Sequence, residues 1–348
     1  MYSEDTGAVT TALQNSSADV FTDETITKIL SLTTRTGDTT VTFSQAAPDA
    51  DGNVTVAAGA EVVFIGSSDS QQTTIKPPVN APVVIFQGRG GVIATFNDGP
   101  TTVVSGDGIA DRIVVGSSGN DRIVISDSHD TRITLGTGDS TVVTGGGNDT
   151  VIAGLGNSTI TGGSSDAAIV QLAGNYSNYA ITVQNGHAVV TDTGSHTTTD
   201  ISKIQYVQLD NSHALVFAKD SVEAAVSILY HTAFGRDADA GGLNYWFDVA
   251  RAGGSLKQIS NAFVHSAEYS PFTGLSDRDF VNSLYHNTFN RDGEDAGIAY
   301  WVDSLANGSS RADLICSFSQ IAAQTVDGSS QHAETTIVGS VTIIEGII

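Results

Sequence analysis

Basic residues are scarce in this chain: 15 Lys and Arg stand against 38 Asp and Glu in 348 residues, a formal net charge of -23. The field of such a chain repels phosphates, which excludes nucleic acid and anionic membrane surfaces as expected partners. A single cysteine, Cys316, excludes an internal disulfide framework and any cysteine-built zinc cluster. Stability must come from packing or from ions. No apolar run reaches the ~18 residues of a membrane span, so none is expected. The opening MYSEDTGAVT has neither a basic nor an apolar leader segment, and an export address is expected elsewhere. Charged residues make up only 15% of the chain, so its polar surface must be built from Ser, Thr, Asn and carboxylates.

Glycine is abundant, with 37 residues, and the middle of the chain is periodic. Val83, Ile93, Val103, Ile113, Ile123 and Ile133 recur every ten residues, followed by Val142, Val151, Ile160 and Ile169 every nine. Short β-branched runs such as Ile113-Val114-Val115 and Ile123-Val124-Ile125 alternate with Gly, Asn, Asp and Ser turns. A near-constant strand-turn period predicts a β-solenoid, because one rung cannot bury its apolar residue alone whereas stacked rungs can. Each buried Val or Ile then contributes roughly 1.5 to 3 kcal/mol as an upper value.

Residues 116–124 (GSSGNDRIV), 144–152 (TGGGNDTVI) and 153–161 (AGLGNSTIT) resemble the RTX nonapeptide GGxGxDxUx. That resemblance implies a β-roll with two nonapeptides per coil, glycines at positive φ, and Ca²⁺ held between turns two repeats apart by aspartates and carbonyls. The sixth position reads Asp111, Asp121, Thr131, Ser140, Asp149 and Ser158, so neither alternate series carries consecutive aspartates. The array is degenerate. Asp111, Asp121 and Asp149 are the calcium-ligand candidates, with Asp107, Asp127, Asp130 and Asp139 as neighbours able to complete a shell. A roll held by Ser, Thr and Asn turn hydrogen bonds alone is the competing reading.

Near residue 220 the period becomes helical, and residues 220–265 recur at 275–320 with an offset of 55. LYHTAFGRDADAGGLNYW aligns with LYHNTFNRDGEDAGIAYW without a gap. Ser221, Ser276, Ser255 and Ser310 precede apolar-periodic runs, with Gln258, Asp279 and Asp313 placed as capping-box partners. These paired segments resemble a phycobilisome-linker-like repeat of unknown function found in bacterial surface-layer and RTX-type secreted proteins; the resemblance transfers no catalytic residue. Asn290 departs from it, since the first copy has Gly235 there. Trp246 and Trp301 could stack on a sugar but fit the helix core better. Asp237, Asp239, Asp292, Glu294 and Asp295 fit helix caps better than a metal site, with Arg236 and Arg291 as their ion-pair partners. His231 and His286 fit polar rim positions, and Cys316 a buried small residue.

The fold class expected is therefore multidomain: a β-solenoid (an RTX-like β-roll) with flanking β units, then an all-α domain of two tandem helical repeats. The expected divisions are a mostly β region over 1–80, with a helical stretch near Ile26 to Leu32, the solenoid over 81–172, a β cap over 173–219, the helical repeats over 220–322, and a tail over 323–348 that is either an edge strand or a type I secretion signal. No HExxH, GxSxG or phosphate-loop motif is present, so an enzyme is not expected. The expected function is a secreted, non-catalytic structural protein of the cell surface, similar to nanopod-type surface-layer proteins, with Ca²⁺ as cofactor and itself as partner. An outer-membrane glycan is the other expected partner. A calcium-dependent adhesin is the alternative, and a polysaccharide-acting enzyme the third.

Overall fold

The computed structural model describes every residue except 1, 17–19, 34–38, 98–111, 164–167, 211–212, 324–334, 339–340 and 346–348. Among the described residues the chain forms 20 strands in two mixed sheets and eight α-helices. It divides into two compact units, residues 1–181 with 189–204 and residues 182–188 with 205–348.

The first unit opens with β1 (Tyr2–Asp5), α1 (Thr6–Ser16), α2 (Asp23–Thr33) and β2 (Thr40–Ala46). Strands then alternate between two stacks. One contains β3 (Val62–Gly66), β5 (Val83–Gln87), β7 (Arg112–Val115), β9 (Thr131–Thr134), β11 (Thr150–Ile152) and β13 (Ile169–Gln171). The other contains β4 (Thr73–Ile75), β6 (Val92–Phe96), β8 (Arg122–Ile125), β10 (Ser140–Val143), β12 (Ser158–Thr161) and, after the hairpin of β14 (Tyr179–Gln184) and β15 (His187–Asp192), β16 (Thr198–Ser202). Pairing is parallel from β2 to β13 in the first stack and from β4 to β16 in the second. The hairpin turns at Asn185-Gly186, both at positive φ (52° and 79°), as a two-residue turn of this hand requires.

Strand geometry sends alternate side chains to opposite faces, so register decides which residue is buried. Val84, Val114, Ile133, Val151 and Val170 form one column, and Ala94, Ile123, Val142, Ile160 and Ile201 the other, all at 0% exposure. The ten-residue count is thus correct at Ile123 and Ile133 but one residue off at Val83, Ile93 and Ile113, and the nine-residue count is correct at Val142, Val151 and Ile160 but one residue off at Ile169. Val103 lies outside the described residues. The cause is turn length: Ile133 follows Val114 by 19 residues and Val151 follows Ile133 by 18, so a fixed step of ten drifts off the column. Val83 and Ile113 instead join Ile85, Val115, Val41 and Phe43 in a second core that also holds Val9, Leu13, Phe21, Ile26 and Ile29 from the α1–α2 segment. Strand β7 is buried on both faces, which explains its unbroken β-branched run.

Helix α1 departs from the mostly β expectation for 1–80. Its Thr- and Gly-containing sequence has poor helix propensity, but Val9 and Leu13 lie one turn apart and bury against that second core, while Asp5 accepts hydrogen bonds from the Gly7 and Ala8 amides (2.9 and 3.0 Å). The turn glycines also differ from expectation. Gly119, Gly138 and Gly156 do not lie at positive φ. They form a column in which any Cβ would overlap main chain of the neighbouring rung: Arg89 and Gly91 at Gly119, Gly119 at Gly138, and Gly138 at Gly156.

The second unit contains β17 (Tyr206–Gln208), β18 (Ala214–Ala218), the helices α3 (Ser221–Phe234), α4 (Ala240–Arg251), α5 (Leu256–Val264), α6 (Asp277–Phe289), α7 (Asp295–Ala306) and α8 (Arg311–Ala323), then β19 (Thr335–Val338) and β20 (Val341–Glu345). Strand β20 lies between β18, to which it is parallel, and β19, to which it is antiparallel. Helix α3 is central: it packs on α4, α5, α6 and α8, and ten of its 14 residues are buried, against five of 13 in the equivalent α6. Where α3 buries Ala224 and Ile228, α6 carries Asp279 and Ser283, so the second copy presents a polar face where the first presents an apolar one. The caps follow sequence at Ser255, Ser276 and Ser310. At α3 the cap is Asp220, which accepts from the Val222 and Glu223 amides, and Ser221 is the first helical residue.

Candidate functional site

The turn carboxylates of the first unit were the calcium candidates, and Asp107 and Asp111 lie outside the described residues. Register brings Asp121 beside Ser140, and places Asp149 beside Thr131 with Arg112 next in the same column. The sixth position of that rung is therefore held by Arg112, where sequence counting placed Asp111.

Asp121 is 2% exposed and held by three donors: its carboxylate accepts from the Ser117 amide (2.7 Å), the Ser117 hydroxyl (2.6 Å) and the Val92 amide of the neighbouring strand (2.9 Å). Asp149 is fully buried and accepts from the Thr131 amide (2.9 Å) and the Gly145 amide (2.6 Å). Both carboxylates tie one rung to the next by taking up main-chain N–H groups that β pairing leaves over. Asp127, 4% exposed, binds the Arg112 guanidinium at 2.6 Å, with the His129 ring at 3.3 Å. Asp139 is exposed and accepts from the Asn157 amide (2.8 Å), and its own amide donates to Asn120 (2.9 Å). Asp130 plays the same part for Asn148 (2.8 Å). Asn and Asp side chains thus form ladders along the turns.

A calcium site needs six to eight oxygen ligands. Among the described residues no group of three or more His, Cys, Asp or Glu side chains converges. The oxygens of Asp121 and Asp149 face N–H and O–H donors, and Arg112 lies in the column of Asp149. These two aspartates do not fit an internal calcium site.

Burial pushes the Asp121 carboxyl up, against the opposing Ser117 and Val92 hydrogen bonds. Burial likewise pushes Asp149 up, to about 6, although two amides and Arg112 favour its anion. At Asp127 burial acts upward as well, but the Arg112 hydrogen bond and charge reverse it, and the carboxyl ends below its ordinary value. For Asp149 the folded value exceeds the unfolded one, so its contribution to stability is complete below pH ~4 and is lost as pH rises through about 6. The loss is on the order of 3 kcal/mol. Urea unfolding is therefore expected to show a higher midpoint in mild acid than at neutrality, and Asp149→Asn is expected to flatten that slope. Equal slopes in the two proteins would refute this assignment.

In the second unit the repeated motif explains itself by packing. A Cβ at Gly242 would strike the Tyr230 hydroxyl, and one at Gly297 the Tyr285 hydroxyl, so glycine admits each tyrosine under the start of the next helix. Burial pushes Tyr230 up to about 12. Arg236 and Arg291 lie over the rings of Tyr230 and Tyr285 at 5.0 and 5.2 Å. Arg291 pairs with Glu294 (2.7 Å) as expected, whereas the main partner of Arg236 is Glu268 (2.5 Å), outside the expected cluster. His231 meets Asp237 and His286 meets Asp292, each at 2.7 Å. Asp239 caps α4 through the Gly242 amide (2.8 Å). Glu294 occupies the cap position of α7 without a side-chain cap bond. Trp246 and Trp301 are half-buried against Phe263 and Phe318 (5.3 and 5.2 Å). The exposed aromatics are their neighbours: Tyr245 and Tyr300, 60% and 67% exposed, stand edge-on to those tryptophans at 4.8 and 5.0 Å. Sequence reasoning missed both tyrosines and Arg112. Each sits one residue from a position that it singled out.

Residues 216–273 and 260–323 match a family described as a domain of unknown function (DUF4214). Neither the curated proteins nor the solved structures contain a match to the chain. Among the described residues no helix is long and apolar enough to cross a membrane.

Proposed function

We propose that this is a secreted, non-catalytic structural protein, built on an RTX-like β-roll, that self-assembles into a bacterial surface layer or sheath, with calcium acting between subunits. The observation that carries the reading is the alternation of short parallel strands between two stacks, with two fully buried columns of Val, Ile and Ala and turns locked to each other by Asn and Asp ladders. Such a stack spends its interior on its own closure. What it offers outward is a set of turn carboxylates, Asp139 among them, on a molecule of net charge -23. Identical copies repel one another at that charge, and a divalent cation shared between carboxylates of two copies removes the repulsion locally. Interface ions need only one or two carboxylates from each copy, so they are compatible with turns that hold no complete internal site. Extracellular calcium modules bind at roughly 10⁻⁴ to 10⁻³ M, a range that an extracellular protein meets.

The test is light scattering and electron microscopy of chelated protein titrated with calcium, with magnesium as charge control. Ordered sheets or tubes at millimolar calcium are expected. Monomers or amorphous aggregates throughout would overturn the calcium-gated lattice, and equal assembly in chelator would remove calcium as its trigger.

A second reading, an adhesin that binds glycan, is favoured by Tyr245 and Tyr300, each followed one turn later by an exposed carboxylate, Asp248 and Asp303. The exposed ring and the acid recur in both copies although Arg251 is replaced by Ala306 and Asn244 by Ala299. An aromatic face beside a hydroxyl acceptor suits a pyranose ring. Under this reading, wild-type protein is retained on a glycan surface and the Tyr245→Ala/Tyr300→Ala variant is not.

A further inference from the structure

We infer that the roll folds without calcium because Arg112 supplies, inside the stack, the positive charge that a calcium ion would otherwise have to bring. This inference rests on reading the parallel stack as a roll of the RTX kind, and it concerns folding rather than assembly. Arg112 begins β7 and is 9% exposed, an unusual position for a guanidinium unless paired. Its Nη2 donates to Asp127 Oδ1 at 2.6 Å, and its guanidinium carbon lies 4.9 Å from the Phe96 ring centre. Its amide is held by the Asp130 carbonyl (3.2 Å), which fixes the residue in the rung.

Three carboxylates are buried in the described turns of this stretch, and each is accounted for without a metal. Asp121 is served by three N–H and O–H donors. Asp149 takes two amides and feels the Arg112 charge through the column that they share. Asp127 is paired directly with Arg112. Asp127 Oδ2 has no hydrogen-bond partner among the described residues and the residue borders a shallow cleft of about 340 Å³, but it belongs to the carboxylate that Arg112 already neutralises. A calcium ion there would sit beside a buried guanidinium, and that repulsion is poorly screened in an interior. A second buried base, Arg132, pairs with Glu24 of α2 at 2.7 Å and also donates to Gln171 at 3.0 Å. Charge compensation that other rolls could leave to an ion is covalently built into this one.

Removing Arg112 leaves Asp127 buried with only the His129 amide (3.2 Å) and ring (3.3 Å) beside it, which is destabilising, whereas removing both partners is far milder. The experiment is urea unfolding of the full chain followed by circular dichroism, in chelator and in millimolar calcium, at a dilution where light scattering detects no assembly so that subunit association cannot shift the midpoint, for the wild type, Arg112→Met and the double variant Arg112→Met/Asp127→Asn. The wild type is expected to be fully folded in chelator with a midpoint that calcium does not move. Arg112→Met is expected to lose midpoint in chelator and to regain part of it with calcium, as the orphaned carboxylate becomes available to the ion. The double variant is expected to recover most of the midpoint and to show no calcium response. A wild type that unfolds in chelator, or whose midpoint rises with calcium, would overturn the inference, as would an Arg112→Met protein that matches the wild type in chelator. A wild type that folds in chelator and never assembles with calcium would leave this inference intact and defeat the proposed lattice, so the two failures are distinguishable.

Discussion

Ile123→Asp is expected to unfold the parallel strand stacks of the first unit. Ile123 is at 0% exposure in the column Ala94, Ile123, Val142, Ile160, Ile201, with a rung on either side. The substitution removes roughly 2 kcal/mol or more of apolar burial and places an ionisable group where no base or donor waits for it. Together these exceed a large part of the 5 to 15 kcal/mol typical of a whole domain. The strand cannot turn the side chain outward, because a one-residue slip would expose Ile125, now 2% exposed, and break the parallel pairing to β6 and β10. Circular dichroism should show loss of strand signal. The comparison variant is Val124→Asp, whose side chain points to the opposite face and is half-buried, and which should be much better tolerated. Native unfolding midpoints for Ile123→Asp would refute the column assignment.

Gly138→Ala is expected to be strongly destabilising for the addition of one methyl group. Its Cβ would overlap the Gly119 carbonyl of the neighbouring rung, which is main chain and cannot swing aside as a side chain can. The rungs would have to separate locally, breaking the ladder in which Asp139 donates to Asn120 and accepts from Asn157. The destabilisation expected is about 3 kcal/mol, the upper part of the range for overpacking. Gly59 is the control, since nothing lies within 4 Å of a Cβ there; its positive φ of 80° makes Gly59→Ala cost only the ordinary backbone strain, about 1 kcal/mol. Equal midpoints for the two variants would mean that close approach of the rungs is not what selects glycine at 138.

Both expectations depend on facts that sequence reading located to within one residue. The spacing of Val and Ile announced stacked strands, but its count assumed a fixed step of ten, and a separation of 19 residues between Val114 and Ile133 moved the buried column from Ile113 to Val114, as a separation of 29 between Ala94 and Ile123 moved it from Ile93 to Ala94. The same slip hid Arg112. Counting placed Asp111 at the ligand position, and only pairing to Thr131 shows a guanidinium there. Glycine abundance was read as backbone freedom, while at Gly119, Gly138 and Gly156 it serves proximity. A sequence records that a side chain is missing at such a position; it does not record what occupies the space.

What the amino-acid sequence determined by itself was local or periodic: the 55-residue duplication, the serine caps at Ser255, Ser276 and Ser310, the charge of -23, and the switch from strand to helix near residue 220. Each of these depends on neighbours a few residues apart, or on simple counting. Tertiary structure alone decided that α1 forms from a weak helical sequence by burying Val9 and Leu13, that Tyr245 and Tyr300 rather than the tryptophans face outward, that Arg112 neutralises Asp127, and that main-chain amides and Ser117 satisfy Asp121 and Asp149. The reason is physical. Burial, desolvation and charge pairing depend on which rungs become neighbours, and that is fixed by turn lengths summed over many residues rather than by any one motif.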